Sequence, residues 1–381
     1  MKKERMLDEI QQILMNPYPM VCQWKGNNRA PVIGYFLTGV PEEIIHAGGA
    51  YPLEIWGTIR KTSDVDAMLP NYVCSPVKSC LESALRGDLN FIDFMLIPYL
   101  CDTTREFIHV WNEEVPGIKA DSFRIPKKTA GPEAFEFLLC EMNRLREMTE
   151  ILVEKAITES DLRKSIAIYN HNRRLLREIH GYWLAHPGSI NNTQMYALLE
   201  SASIMRKEEH NKFLEEFSAQ LYSGKPVDQQ DVIRLFIKGK ILEPAGILDI
   251  FDQLKVQIVG DDFVRGFRSI SEDPPEDIDP MKALVKRHLS LPPYQGFHYE
   301  RSQVHDYLSD AVRKANAHGV IFLSQSFCEP AAFAEPDLKK VFDGDGIPTI
   351  SIQTTRQKSS LSQVALRIEA FVEMLRNNNL S

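Results

Sequence analysis

Short apolar runs, each giving way to a helix start, constrain this 381-residue chain more than any other feature. Pro31–Leu37 reads as a buried strand from its apolar run and β-branched content. Gly39–Ile45 then opens a helix, with Pro41 in the first turn and Glu42 and Glu43 suited to its positive end. Further apolar runs at Phe94–Leu100 and near Ala120–Ile125 alternate with helical stretches, the signature of a parallel sheet with helices on its faces. An opening helix over about residues 3–15 precedes them. From about Pro132 to Tyr222 the pattern changes to long helical periodicity, carried by residues such as Leu138, Met142, Leu162, Ile166, Leu176 and Ile179. The strand–helix pattern resumes with Val232–Ile237, Val256–Val259, Val320–Leu323 and Pro348–Ile352, and a last helix spans about 361–376. The expectation is an α/β fold with two parallel-sheet domains, residues 1–131 and 226–381, joined by a helical segment over 132–225.

A faint internal echo agrees with two related halves. Val32–Gly39 resembles Val232–Gly239, and a strand followed by cysteine and an acid recurs at Cys101-Asp102 and Cys328-Glu329. Strand-and-turn grammar alone also produces such echoes. A net charge of −8 argues against a dedicated nucleic-acid binder. No apolar stretch approaches the roughly 20 residues needed to span a bilayer, so no membrane span is expected. Met1–Ile10 lacks the apolar run of a signal peptide. Six cysteines without close pairing then point to a reducing cytoplasm, where thiols serve metals or simply pack.

Three of those cysteines sit where helix starts are expected. Cys101 and Cys328 each follow an apolar run, and Cys74 precedes Ser75-Pro76, with Ser75 expected as N-cap and Pro76 as first helical residue. Ligands of open α/β sheets bind beyond the strand carboxyl ends, where helix N-termini lower thiol pKa values. Three thiolates converging there look like ligands for a soft metal centre; buried small hydrophobes are the competing reading. Without a CxxC pair or a clustered histidine pair, structural zinc is disfavoured. Three cysteines on an iron–sulfur cluster would leave one iron without a protein thiolate, an open position of the kind catalysis needs. Cys74 and Cys80 lie roughly 120° apart around a helix and about 9 Å along it, so they do not share a site. Cys80 and Cys140 read as core, and Cys22 has no supporting context.

Other constellations are weaker. Neither a Walker loop nor a GxGxxG fingerprint occurs, so ATP hydrolysis and NAD binding by this chain are not expected. Glu43 and His46 share a helix face, as a functional pair or a surface polar pair. Arg206–His210 reads as a solvated helix start whose basic groups alternatively meet an anionic substrate tail.

With these residues together, the chain resembles the family of (R)-2-hydroxyacyl-CoA dehydratase and benzoyl-CoA reductase subunits, over nearly its whole length. The anchors are Val40–Gly49 with Pro52; Cys74-Ser75 with Lys78-Ser79; Ile97-Pro98 with Cys101–Thr103; Met205–His210; Asp261–Phe263; and Gly319–Phe322 with Phe327–Pro330. The resemblance implies two flavodoxin-like domains and a [4Fe–4S] cluster held by Cys74, Cys101 and Cys328. It implies a homologous second subunit, an ATP-dependent iron–sulfur activator that donates single electrons, and a CoA-thioester substrate that becomes a radical anion. Glu43 would orient substrate or relay protons near the cluster, with His46 close behind. Asp261–Phe263 and Ser326–Ala331 look closer to the smaller benzoyl-CoA reductase subunit, while Pro41–His46 and Met205–His210 look like the smaller dehydratase subunit. One departure stands out: Lys238–Gly246 lacks the clear glycine turn the family pattern places after that strand.

Overall fold

The computed structural model describes residues 2–37, 39–57, 65–224, 231–293, 301–356 and 361–379. Two four-stranded, all-parallel sheets organise the chain. The first contains β1 (Val32–Phe36), β2 (Tyr51–Ile55), β3 (Phe94–Pro98) and β4 (Ala120–Phe123), in the order β2-β1-β3-β4. The second contains β5 (Ile233–Gly239), β6 (Val256–Asp261), β7 (Gly319–Gln325) and β8 (Thr349–Thr354), in the order β6-β5-β7-β8. The two orders are equivalent, and each is the start of the flavodoxin-like doubly wound order. The echoing segments Val32–Gly39 and Val232–Gly239 therefore contain equivalent strands, and Cys101 and Cys328 follow equivalent third strands. The expected α/β class with two parallel-sheet domains is what the chain adopts.

Strands buried on both faces read as unbroken apolar runs, and β1 shows why. Val32 and Phe36 join one core with Ile97, Cys80 and Trp111, while Ile33 and Tyr35 face the opposite core with Leu96, Leu138 and Met142. Strand β2 escaped the sequence reading because Pro52 and Glu54 interrupt it; Glu54 is nevertheless buried, paired to Arg265 at 2.8 Å.

Two segments pack against the sheet of the other half. Met6 and Leu7 of the helix Lys2–Met15 join the second sheet's core, and Met281, Leu284 and Val285 of the helix Pro280–Ser290 join the first sheet's. The helix Glu159–Ala185 reaches both cores, with Leu162 and Ile166 in one and Leu176, Ile179 and Trp183 in the other. Its 27 residues make a rod of about 40 Å. Thr158 starts it with a capping box, accepting from the Asp161 amide at 3.1 Å. The expected division at 225/226 lies outside the described residues. Among the described residues, no helix is long and apolar enough to cross a membrane.

Candidate functional site

Each of the three candidate cysteines is the residue immediately before a helix. Cys74 precedes Ser75–Leu85, Cys101 precedes Asp102–Glu114, and Cys328 precedes Glu329–Gly344. All three are partly buried. The cap at the first of these helices differs from the sequence expectation: Cys74 holds that position, with Ser75 and Pro76 already helical. The Ser75 hydroxyl instead joins the two halves. It donates to Glu243 at 3.3 Å and accepts from the Arg356 amide at 3.2 Å. Arg356 completes the clasp through Glu243 at 2.9 Å and the Gly57 carbonyl at 3.1 Å.

A cleft of about 560 Å³ lies between the carboxyl ends of the sheets. Cys328 lines it from the second half, and Val73 and Asp102, sequence neighbours of Cys74 and Cys101, line it from the first. Its acids are Asp102, Glu106, Glu329 and Glu335. Around it Met68, Tyr72 and Phe327 are exposed apolar side chains. Phe327, just before Cys328, adopts a left-handed backbone with φ +65°, which is costly for a non-glycine residue. At Cys101 the Thr104 hydroxyl accepts from the Leu100 and Cys101 amides at 3.0 and 3.1 Å and donates to the Cys101 carbonyl at 2.9 Å. Lys127 donates to the Leu100 carbonyl at 2.9 Å.

Burial pushes the Cys74 thiol up to about 12, and negative charge on Cys328 and Cys101 pushes in the same direction. This reverses, for Cys74, the expectation that a helix start lowers thiol pKa. The Val77 amide does favour the thiolate, but desolvation and neighbouring sulfur outweigh it. The Cys74 thiol therefore feels the other two, and cationic metal is the kind of charge that would deprotonate it. Among the described residues, no three His, Cys, Asp or Glu side chains are grouped as ligands of a single metal ion. The donor set fits an iron–sulfur cluster better: it is all sulfur, and in a cluster each thiolate reaches a different iron.

The other cysteines divide. Cys80 is fully buried in the first core, as expected. Cys140 is exposed, contrary to its reading as core. The helix Pro132–Val153 turns Leu138, Met142 and Leu145 inward, and a residue two positions from Leu138 and Met142 lies on the far side. Cys22 is exposed.

Glu43 and His46 lie together on the short helix Glu42–Ala47, but not at the cleft. Glu43 lines a separate cavity of about 130 Å³ that no cysteine lines. It is 2% exposed and pairs with Arg173 at 2.8 Å. Burial would raise its pKa, but Arg173, with Arg287 beyond it, holds the carboxyl down at about 2. His46 meets the Ser165 hydroxyl at 2.9 Å and Glu208 at 3.0 Å. The bland reading of this pair as surface polarity is thus overturned. So is the solvated reading of Arg206–His210: Lys207 pairs with Glu42 at 2.8 Å, and His210 is buried against Asn172 and Ser201. This helix start docks on the helices Glu42–Ala47 and Glu159–Ala185, which the local sequence does not reveal. Arg173, Arg265 and Arg287 also escaped the sequence reading, since no local motif marks them. Asp261, at the end of β6, accepts the Tyr196 hydroxyl at 2.7 Å, and burial raises its carboxyl to about 6.

The family model described as 2-hydroxyglutaryl-CoA dehydratase, D-component, matches residues 37–375. A benzoyl-CoA reductase subunit of Thauera aromatica is 28% identical, the alignment covering 93% of each chain. The (R)-phenyllactyl-CoA dehydratase beta subunit of Clostridium sporogenes is 25% identical over 98% of this chain and 99% of its own. The beta subunit of the (R)-2-hydroxyglutaryl-CoA dehydratase of Acidaminococcus fermentans is 26% identical over 97% of this chain and 99% of its own.

Proposed function

This chain belongs to the 2-hydroxyglutaryl-CoA dehydratase D-component family, and on that premise we propose that it is an enzyme subunit acting on an acyl-CoA thioester, with Cys74, Cys101 and Cys328 holding a [4Fe–4S] cluster. The observation that supports this reading is that each of the three cysteines immediately precedes a helix and that Cys74 feels the charge of the other two. When bound, such a cluster supplies single electrons at low potential. An ATP-dependent activator would be their source, because this chain has no Walker loop.

The protein's own part is to shape and dry the cleft. Its apolar rim at Met68, Tyr72 and Phe327 supports closure by a homologous second subunit, since exposed apolar side chains around a cleft favour a covering partner. Its acids repel phosphates, so the CoA polyphosphate end would lie outside and the acyl end within. Glu43 is held ionised and is a poor proton donor; its proposed role is to fix Arg173, with His46 anchored by Ser165 and Glu208.

The test is anaerobic co-expression with the second subunit, followed by iron and sulfide analysis and electron paramagnetic resonance. About four irons per chain are expected, lost with Cys74→Ala, Cys101→Ala or Cys328→Ala and kept with Cys80→Ala. Benzoyl-CoA and 2-hydroxyacyl-CoA thioesters would then be assayed side by side, separating ring reduction from dehydration. Iron-free protein that still folds and binds CoA would leave a binding module and end the redox reading.

A further inference from the structure

The cavity beside Glu43 holds more positive charge than its own residues neutralise. Glu42, Glu43 and Glu54 line it, and each is already matched: Glu42 by Lys207, Glu43 by Arg173 and Glu54 by Arg265, all at 2.8 Å. Arg287 lines it too and has no carboxylate at ion-pair distance among the described residues. Among the described residues its guanidinium is held by main-chain carbonyls, Nε to Glu272 at 2.9 Å and Nη2 to Ser269 at 3.1 Å. Nη1 has no protein partner among the described residues. Burial, with the like charge of Arg173, pushes Arg287 down to about 10 against the more distant pull of Glu43, Asp273 and Glu42.

Arg265 makes a second, independent demand. It is 9% exposed, its guanidinium lies 3.9 Å from the Trp56 ring centroid, and its buried Nη2 has no hydrogen-bond partner among the described residues. Buried donors are nearly always satisfied. Both arginines line the one cavity, so an anion there would meet the Arg265 donor and give Arg287 a close counter-charge. The volume of about 130 Å³ exceeds the roughly 15 Å³ one water needs, yet it is far too small for a nucleotide.

We propose that this cavity is a binding site for a small oxyanion, a carboxylate or phosphate group, held by Arg287 together with Arg265. Guanidinium forks match the paired oxygens of both groups. The site does not depend on the cluster, and its test needs no iron.

The full chain, dialysed into chloride, would be titrated calorimetrically and unfolded thermally with sodium phosphate, sodium acetate or sodium chloride at equal ionic strength. Binding and a raised Tm are expected beyond the chloride control. A response to phosphate alone identifies a phosphate group, and a response to acetate a carboxylate. Losing a charge-assisted contact should weaken binding about ten- to a hundredfold in Arg287→Gln and Arg265→Gln, and less in Arg287→Lys, which keeps the charge. If Arg287→Gln does not fold, Arg265→Gln and Arg287→Lys carry the comparison. A wild type that responds to neither oxyanion beyond chloride has a water-filled cavity, and the proposal fails. It fails equally if the folded variants bind as the wild type does.

Discussion

Glu43 is nearly sealed from water, yet its carboxyl titrates near 2 because Arg173 and, farther off, Arg287 favour the ionised form over the cost of burial. Its folded value lies below the ordinary 4.5. Between the two the unfolded chain binds a proton that the folded chain does not. The stability this pair contributes is therefore complete above pH 4.5 and lost as pH falls towards 2, an effect of about 3 kcal/mol from the size of the shift. Glu43→Gln should flatten that acid limb in urea unfolding measured from pH 6 to pH 2.5. It should also cost about 3–5 kcal/mol at neutral pH, since Arg173 stays buried and loses the more buried of its two carboxylates among the described residues, keeping Asp273 and Asn170. A variant with the wild-type acid slope would show that another group carries it.

The segment after β5 shows what a local reading misses at the scale of an element. The glycine there, Gly239, is the last residue of the strand and not a turn glycine, and what it provides is room. A Cβ on Gly239 would sit 2.5 Å from the Leu323 carbonyl of β7 and 2.9 Å from the Phe263 ring. Main-chain oxygen of a neighbouring strand cannot turn aside as a flexible side chain can. Gly239→Ala should therefore destabilise by about 1–3 kcal/mol, whereas Gly117→Ala, which meets nothing within 4 Å, should not by this mechanism. Equal urea midpoints for the two variants would contradict the close approach. The same logic explains what was legible in the chain. Most strands were visible because burial on two faces leaves continuous apolar runs, and β2 was not because Glu54 finds its partner far along the chain in Arg265. The helix Tyr18–Asn28 went unread because it carries no apolar stripe and buries only Val21. The cysteine positions were legible because a strand end and a helix start are local signals. Arg173 and Arg265 were not, because their acidic partners come from remote segments, nor was Arg287, which is held by main-chain carbonyls.

At the scale of the whole molecule, the two halves are held together more firmly than a sheet-by-sheet description suggests. The helix Glu159–Ala185 contributes to both cores, the helices Lys2–Met15 and Pro280–Ser290 each dock on the opposite half, and Arg356, Glu243 and Ser75 clasp the cleft beside Cys74. Neither core can be lost without stripping apolar surface from the other, so the chain should unfold as one unit although its length exceeds that of most two-state domains. Tryptophan placement makes this measurable. Trp24, Trp56 and Trp111 belong to the first core, and Trp183, the fourth, to the second. In Trp183→Phe, fluorescence reports on the first half alone, while far-UV circular dichroism reports on every helix. Coincident urea midpoints are expected. Arg356→Met, which leaves Glu243 buried without its cation, should lower both midpoints together. Separated midpoints in Trp183→Phe, or a shift confined to one probe in Arg356→Met, would mean that the halves fold independently. In that case the shared helix and the clasp would align the two sides of the cysteine cleft without coupling their stabilities.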